Sequence, residues 1–232
     1  MAQPEAVPAF QQGDGIRDYV FPICRVEEGN LVGFLGTAFL IGTRGYAITA
    51  AHCLSAETGL AAIFVGHDGW YSWGVTEGHE HPTEDIALIR LAGRGWKSIF
   101  TVSPAPEHSS RDYSSFGYPE DAYWEVVRND VAAPRPDLVY TQGYVRRRLT
   151  DIPLGHIRGS SFYELSDVAG AGCSGSPIFV RERPRWRVFG VYVGERRTEG
   201  GSSVGYAVRS DAFADWQPEG LAHTVSAEAL LA

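Results

Sequence analysis

A chain of 232 residues with 44% hydrophobic and 12% aromatic side chains holds enough apolar surface for one substantial core or two small ones packed together. Its 27 glycines and 13 prolines favour turn-rich β structure over helix. The net charge of −8 argues against a nucleic-acid-binding surface, which needs clustered positive charge, and no stretch has the apolar length to span a bilayer.

Residues 1–15 are a polar lead-in, and the start Met1-Ala2-Gln3-Pro4-Glu5 has neither the basic residues nor the apolar run of a signal peptide. Six β-rich runs follow, at Asp18–Arg25, Gly33–Gly42, Tyr46–Thr49, Ala61–Gly66, Trp70–Thr76 and Asp85–Leu91, each bounded by turn residues. The last is almost continuously apolar, as a strand inside a barrel should be. Residues 92–112 lack periodicity and read as a linker. A second β-rich set then runs through Tyr113–Tyr118, Ala122–Arg128, Leu138–Arg148, Ser161–Leu165, Ser176–Arg181, Arg187–Val193 and Ser203–Val208. Within it Arg181-Glu182-Arg183-Pro184-Arg185 reads as a hairpin turn, and Arg146-Arg147-Arg148 as an exposed basic run. Helix is expected at Ser210–Trp216, capped by Ser210 or Asp211, with residues 217–232 forming a short terminal helix or the start of a connection to a further domain. The expected architecture is all-β: two tandem six-stranded antiparallel barrels, over residues 16–105 and 106–209, with a short C-terminal helix and tail over 210–232. A single large sandwich gives a similar strand count.

Three motifs carry chemistry. Gly36-Thr37-Ala38-Phe39-Leu40-Ile41-Gly42, followed by Gly45-Tyr46-Ala47-Ile48-Thr49-Ala50-Ala51-His52-Cys53, is a hairpin that delivers His52 just after small residues. Glu84-Asp85-Ile86-Ala87-Leu88-Ile89-Arg90-Leu91 puts Asp85 at the mouth of a buried strand. Gly170-Ala171-Gly172-Cys173-Ser174-Gly175-Ser176-Pro177-Ile178-Phe179 is a small-residue loop suited to hold Ser174 in a tight turn with backbone N–H groups free. Taken singly, these are a structural histidine, a strand-end aspartate and a turn serine. Asp167, nearer to Ser174 in sequence, falls in the loop before it and reads as a surface residue. Together, in the order His, Asp, Ser, the motifs supply a base, a carboxylate to orient it, a nucleophile and donors for an oxyanion.

In these motifs, their order and their spacing, the sequence resembles the chymotrypsin/trypsin-like serine peptidases over about residues 18–216. The resemblance implies a two-barrel serine endopeptidase acting on protein or peptide substrates without a cofactor. In it His52 is the general base, Asp85 orients His52, Ser174 attacks the carbonyl, and the N–H groups of Gly172 and Ser174 form the oxyanion hole.

Several residues depart from the digestive-enzyme pattern. Cys173 stands before Ser174 where trypsin-like zymogens carry an aspartate, and the chain has no Ile-Val-Gly-Gly type start, so the cleavage-activated switch cannot operate as written. Either the site is preformed or something else orders the loop. Thr37 lies where the partner of the cysteine after the catalytic histidine is expected, leaving Cys53 free or paired with Cys24. An odd count of three cysteines makes no disulfide framework and points to a reducing compartment, the cytoplasm. Ser176 in place of the second glycine of Gly-x-Ser-Gly-Gly-Pro, with Gly117-Tyr118-Pro119, is similar to bacterial glutamyl endopeptidases and their trypsin-like relatives.

Carried over by position, the primary pocket has its base at Val168 and Ala169 and its walls at Val191-Tyr192-Val193-Gly194 and Val204-Gly205-Tyr206. No acidic residue falls at the base, Tyr192 stands near the histidine of glutamate-selective relatives, and a small or apolar P1 residue is expected. Glu195 offers a negative rim. His67, His79 and His81, with Glu77, Glu80 and Glu84, match no firm ligand spacing, and no metal is expected. An esterase would need a strand-turn-helix elbow, for which the chain lacks alternating helices. The competing function is a pseudoprotease or peptide-binding module using the same cleft. A cytoplasmic protease without a zymogen switch needs restraint, through narrow specificity, an activating protein partner or an additional domain.

Overall fold

Phe21 and Ile23 point one way from the first strand and Val20 the other, yet all three are buried. A strand with two buried faces lies between two cores, and this alternation organises the molecule. The structure, a computed structural model, describes residues 15–231 apart from 29, 55–58, 67–68, 129–130, 156 and 198.

The first barrel comprises β1 (Val20–Glu27), β2 (Asn30–Ile41), β3 (Tyr46–Thr49), β4 (Leu60–Gly66), β5 (Gly69–Glu80) and β6 (Ala87–Leu91). It closes in the order β1-β2-β3-β6-β5-β4, every described pairing antiparallel. Its interior is filled by Phe21, Ile23, Leu40, Phe64, Trp73, Ile89 and Trp96, with Ala38, Ala47 and Ala62 as the small partners that let these aromatics fit.

The chain then forms β7 (Phe100–Val102), β8 (Asp112–Gly117), β9 (Tyr123–Arg128), β10 (Val131–Pro136), β11 (Val139–Leu149), β12 (Phe162–Leu165), β13 (Pro177–Val180), β14 (Trp186–Arg197) and β15 (Ser203–Arg209). Strands β13-β8-β11-β12-β15-β14 make a second six-stranded barrel, closed by the β13–β14 pairing. Tyr113, Val145, Tyr163, Leu165, Ile178, Phe189 and Tyr192 lie inside it. Between the barrels, Val20, Phe39, Ile48 and Leu88 meet Phe100, Tyr118, Phe179, Val188 and Val191 in a third apolar layer.

Three elements differ from the sequence-based expectation. The stretch 92–112 contains β7, which pairs parallel with β14 (Phe100↔Trp186) and so attaches the connection to the second barrel. The β9–β10 hairpin is a two-stranded ribbon outside both barrels; its first strand was expected, its second was not. The helix expected at Ser210–Trp216 is only a 3-10 turn at Ser210–Ala212. Its would-be cap is engaged elsewhere: Ser210 Oγ donates to the carbonyl of Ser103 at 2.7 Å. Helix forms instead at α1 (Val225–Leu230), where Thr224 Oγ1 accepts the N–H of Ala227.

Helix α1 ties the ends of the fold together. Glu228 is fully buried and accepts a forked pair of hydrogen bonds from Arg44, in the β2–β3 turn. Arg185, in the β13–β14 hairpin, donates to the Ala229 carbonyl at 3.0 Å. Gly42 has φ +57, and a Cβ there would lie 2.4 Å from the Glu228 carbonyl, so only glycine lets the helix approach so closely.

Candidate active site

Because β3 and β6 are neighbours in register (Thr49↔Ala87), the residues just beyond one and just before the other meet. His52 sits in the 3-10 turn Ala51–Leu54 after β3, and Asp85 two residues before β6. Asp85 accepts from the His52 backbone N–H at 3.0 Å with one oxygen and from the ring Nδ1 at 2.7 Å with the other. The buried carboxylate thus fixes both position and rotation of the imidazole, whose side chain stays 48% exposed. With Nδ1 donating, Nε2 carries the lone pair. The hydrogen bond to Asp85, then that to Cys53, raises the His52 pKa above its ordinary 6.5.

The turn leading into Asp85 is built by its neighbours. His81 Nδ1 accepts from the backbone of Glu84 at 3.0 Å and of Thr83 at 3.3 Å, and its ring meets Trp216 edge-on. Burial and then the Arg158 charge lower the His81 pKa, which keeps this acceptor neutral. Buried Glu84 accepts from Ser160 and Ser161 N–H at 3.2 and 3.4 Å, which joins the turn to the β11–β12 loop. Glu77 pairs with Arg90 and Glu80 with Arg158, each at 2.7 Å. Among the described residues no three His, Cys, Asp or Glu side chains converge as a metal site; His67 lies outside the described residues.

Two consecutive reverse turns, Gly170–Cys173 and Cys173–Ser176, build the loop, and Ser174 stands in the second. Cys173 N–H donates to the Gly170 carbonyl at 3.2 Å around Gly172 at φ +87, and Ser176 N–H to the Cys173 carbonyl at 2.9 Å around Gly175 at φ +93. Glycine at the third position with positive φ is the demand of a type II turn, and it puts Ser174 at the second turn's corner, partly exposed. A Cβ on Gly172 would lie 2.6 Å from the Tyr118 carbonyl, and one on Gly175 would overlap the Thr37 carbonyl. The pair of turns is held to the first barrel: Thr37 N–H donates to the Ser174 carbonyl at 2.8 Å, and Thr37 Oγ1 to that of Gly172 at 3.0 Å. Cys53, next to His52, places its Sγ 3.6 Å from the same Ser174 carbonyl. Through Cys53, His52 and the Ser174 turn, 122 positions apart, are brought near one another at the barrel junction.

A cleft of about 530 Å³ opens at this junction, lined by Ala51, His52, Glu80 and Asp85 from one barrel and Ile157, Arg158, Val193, Gly194 and Glu195 from the other. The profile of the trypsin-like peptidase domain matches residues 36–191. This chain belongs to that family.

Its relatives among solved structures are similar in fold. The MamO protease domain from Magnetospirillum magneticum, in its apo form, is 16% identical with a TM-score of 0.56, over 86% of this chain and 95% of that one. An HtrA-type protease, AlgW with a decapeptide, is 13% identical with a TM-score of 0.58, over 84% of this chain and 62% of that one. No curated protein matches the chain.

Within this trypsin-like domain the residues expected at the primary pocket separate. Val193 and Gly194 line the cleft beside His52. Tyr192 turns its ring into the second barrel, where Ala169 packs against the same cluster. Val168 is partly exposed and its N–H donates to Asp167 Oδ1. Glu80, Ile157 and Arg158 were not foreseen: they come from the end of a strand and from a loop without periodicity, and nothing local marks them as cleft residues. All three cysteines are free and buried, so neither Cys24 nor Cys53 is in a disulfide. The hydroxyl of Thr37, where the partner cysteine was expected, instead links Gly172 to the N–H of Tyr118.

Proposed function

We propose that the chain is a serine endopeptidase in which His52, Asp85 and Ser174 form the catalytic triad and the N–H groups of Gly172 and Ser174 the oxyanion hole. The observation that carries this reading is the double engagement of His52 by Asp85, beside Cys53, whose Sγ lies 3.6 Å from the Ser174 carbonyl. In acylation the Ser174 Oγ–carbon bond forms as Nε2 takes the hydroxyl proton, and Asp85 stabilises the imidazolium. Collapse of the tetrahedral species breaks the C–N bond, with the His52 proton passing to the leaving amine. Water, deprotonated by His52, then attacks the acyl-enzyme, and the proton returns to Ser174 Oγ as the acid is released. The N–H groups of Gly172 and Ser174 donate no backbone hydrogen bond among the described residues, which suits them to a developing oxyanion.

The substrate has a natural seat. β14 pairs with β13 only as far as Val191, while Gly194 and Glu195 pair with β15 on their other edge. Val193–Glu195 thus present a strand edge to the cleft, and an extended peptide adds to such an edge. Ser176 and Gly117-Tyr118-Pro119 support placement in the bacterial, glutamyl-endopeptidase-like branch. Cys173 in place of the zymogen aspartate supports restraint by narrow specificity or by an activating partner, and the three free thiols suit a reducing compartment such as the cytoplasm.

A fluorophosphonate probe tests the central claim. Labelling of the wild type that is lost in Ser174→Ala is the expected result. A folded wild type that takes no label would instead favour the peptide-binding module. Rapid digestion of unfolded casein without any partner would defeat the restraint.

A further inference from the structure

We infer that Tyr192 is a specificity-determining residue that fills the primary pocket with its own ring, so that the enzyme accepts only glycine, alanine or a similarly small residue on the acyl side of the scissile bond. This rests on the protease reading and names its substrate class. Two backbone hydrogen bonds set Tyr192 beside the nucleophile turn: Gly175 N–H donates to its carbonyl at 2.7 Å, and its N–H to the Ser176 carbonyl at 2.9 Å. The next residues, Val193 and Gly194, are already in the cleft with His52. The pocket carried over by position from the family resemblance, between the 168–170 segment and β15, is where a peptide laid on that edge with its carbonyl at Ser174 would put its acyl-side side chain.

That space is occupied. The Tyr192 side chain is 1% exposed and packs with Tyr113, Leu165, Cys173 and Ala207. A Cβ on Gly205 would lie 3.2 Å from Tyr192 Cε2 and 2.6 Å from the Asp167 carbonyl, so β15 closes directly over the ring. The phenolic oxygen is buried and faces the backbone of Ala169 and Gly170 without closing a hydrogen bond of ordinary geometry. Burial, and then the Glu195 charge, push its pKa up, so it stays a neutral phenol and offers no charge to a substrate. The 530 Å³ cleft is bounded by neither Val168, Ala169 nor Tyr192. This cleft, next to Ile157 and Arg158, is thus separate from the pocket that Tyr192 fills.

The test uses peptidyl diphenyl phosphonates that share their remaining residues and carry alanine, valine, leucine or phenylalanine at the reacting position. Each competes with the fluorophosphonate probe for Ser174 of the full chain. The alanine compound should inactivate the wild type faster than the leucine and phenylalanine ones, by roughly 10- to 200-fold for each group the pocket rejects. Tyr192→Ala should reverse this order, and Tyr192→Phe, which keeps the ring, should preserve it. Equal rates for alanine and phenylalanine in the wild type would overturn the proposal even if Tyr192→Ala fails to fold. An unchanged order in a folded Tyr192→Ala would also overturn it. A wild type that the fluorophosphonate labels without size discrimination sinks the filled pocket alone, whereas one that takes no label at all sinks the protease reading with it.

Discussion

Thr37 and Ser174 lie in different barrels, 137 positions apart, and are joined backbone to backbone by an N–H···O=C bond of 2.8 Å. The Thr37 hydroxyl extends the link by donating to the Gly172 carbonyl and accepting from Tyr118 N–H, each at 3.0 Å, while Thr49 Oγ1 donates to the Thr37 carbonyl. One residue thereby ties the loop that carries Ser174 to the first barrel.

Thr37→Val keeps shape and volume but removes the hydroxyl, leaving the Gly172 carbonyl and Tyr118 N–H without this partner. Thr37 is fully buried, so the expected destabilisation is about 1–3 kcal/mol. Chemical denaturation checks it, and labelling of Ser174 should slow in parallel as the turn loosens.

Gly172→Ala should spare the fold and damage the site. At φ +87, with a Cβ 2.6 Å from the Tyr118 carbonyl, alanine forces this peptide out of place and moves the proposed oxyanion donor. The expected loss in kcat is roughly 10²- to 10³-fold. Unchanged kcat would show that this N–H is no oxyanion donor.

The pH profile should report His52. The proposed mechanism needs its neutral form, so activity should rise with pH, with a midpoint above the ordinary 6.5 because Asp85 favours the charged ring. Asp85→Asn should bring the midpoint down and cost about 10⁴-fold in kcat. For stability the sign is opposite: a raised folded-state pKa stabilises fully below 6.5, and the contribution fades as pH climbs through the folded value. Because the ring is half exposed, solvent screening keeps that contribution small.

Arg44→Ala leaves the Glu228 carboxylate buried without its guanidinium. The expected cost is about 3 kcal/mol, at the low end for a broken buried pair because Arg44 is itself 39% exposed. For a chain of this size that lowers Tm by roughly 6–12 °C. The double variant Arg44→Met/Glu228→Leu should recover most of the loss, and calorimetry reads both.

Burial pushes the Cys24 and Cys173 thiols up to about 12. Neither should react with a disulfide reagent in the folded protein near neutral pH, whereas all three cysteines should react after denaturation. Fast native labelling of Cys173 would show that the nucleophile loop opens.

Short-range features could be read from the residues alone. Period-two alternation and turn residues located the barrel strands, since each strand needs only its own pattern of buried faces. His52 and Ser174 stood out as candidates because small residues and glycines surround them, and Asp85 because it opens an almost continuously apolar strand. Other features depended on which distant segments met. β7 became a strand only because β14 offers it an edge. Helix α1 formed at Val225–Leu230, where Thr224 caps it and Arg44 and Gly42 receive Glu228, while Ser210 was drawn off to Ser103. Tyr192 reads in sequence as a pocket wall; only the closure of β15 at Gly205 turned it into core. Arg158 and Glu80 reached the cleft because Glu84 holds the 157–161 segment against the turn before Asp85. Local patterns carry strand and turn propensities, but a side chain's role at a junction is set by the free energy of contacts with other strands and loops, and only the folded arrangement brings those partners together.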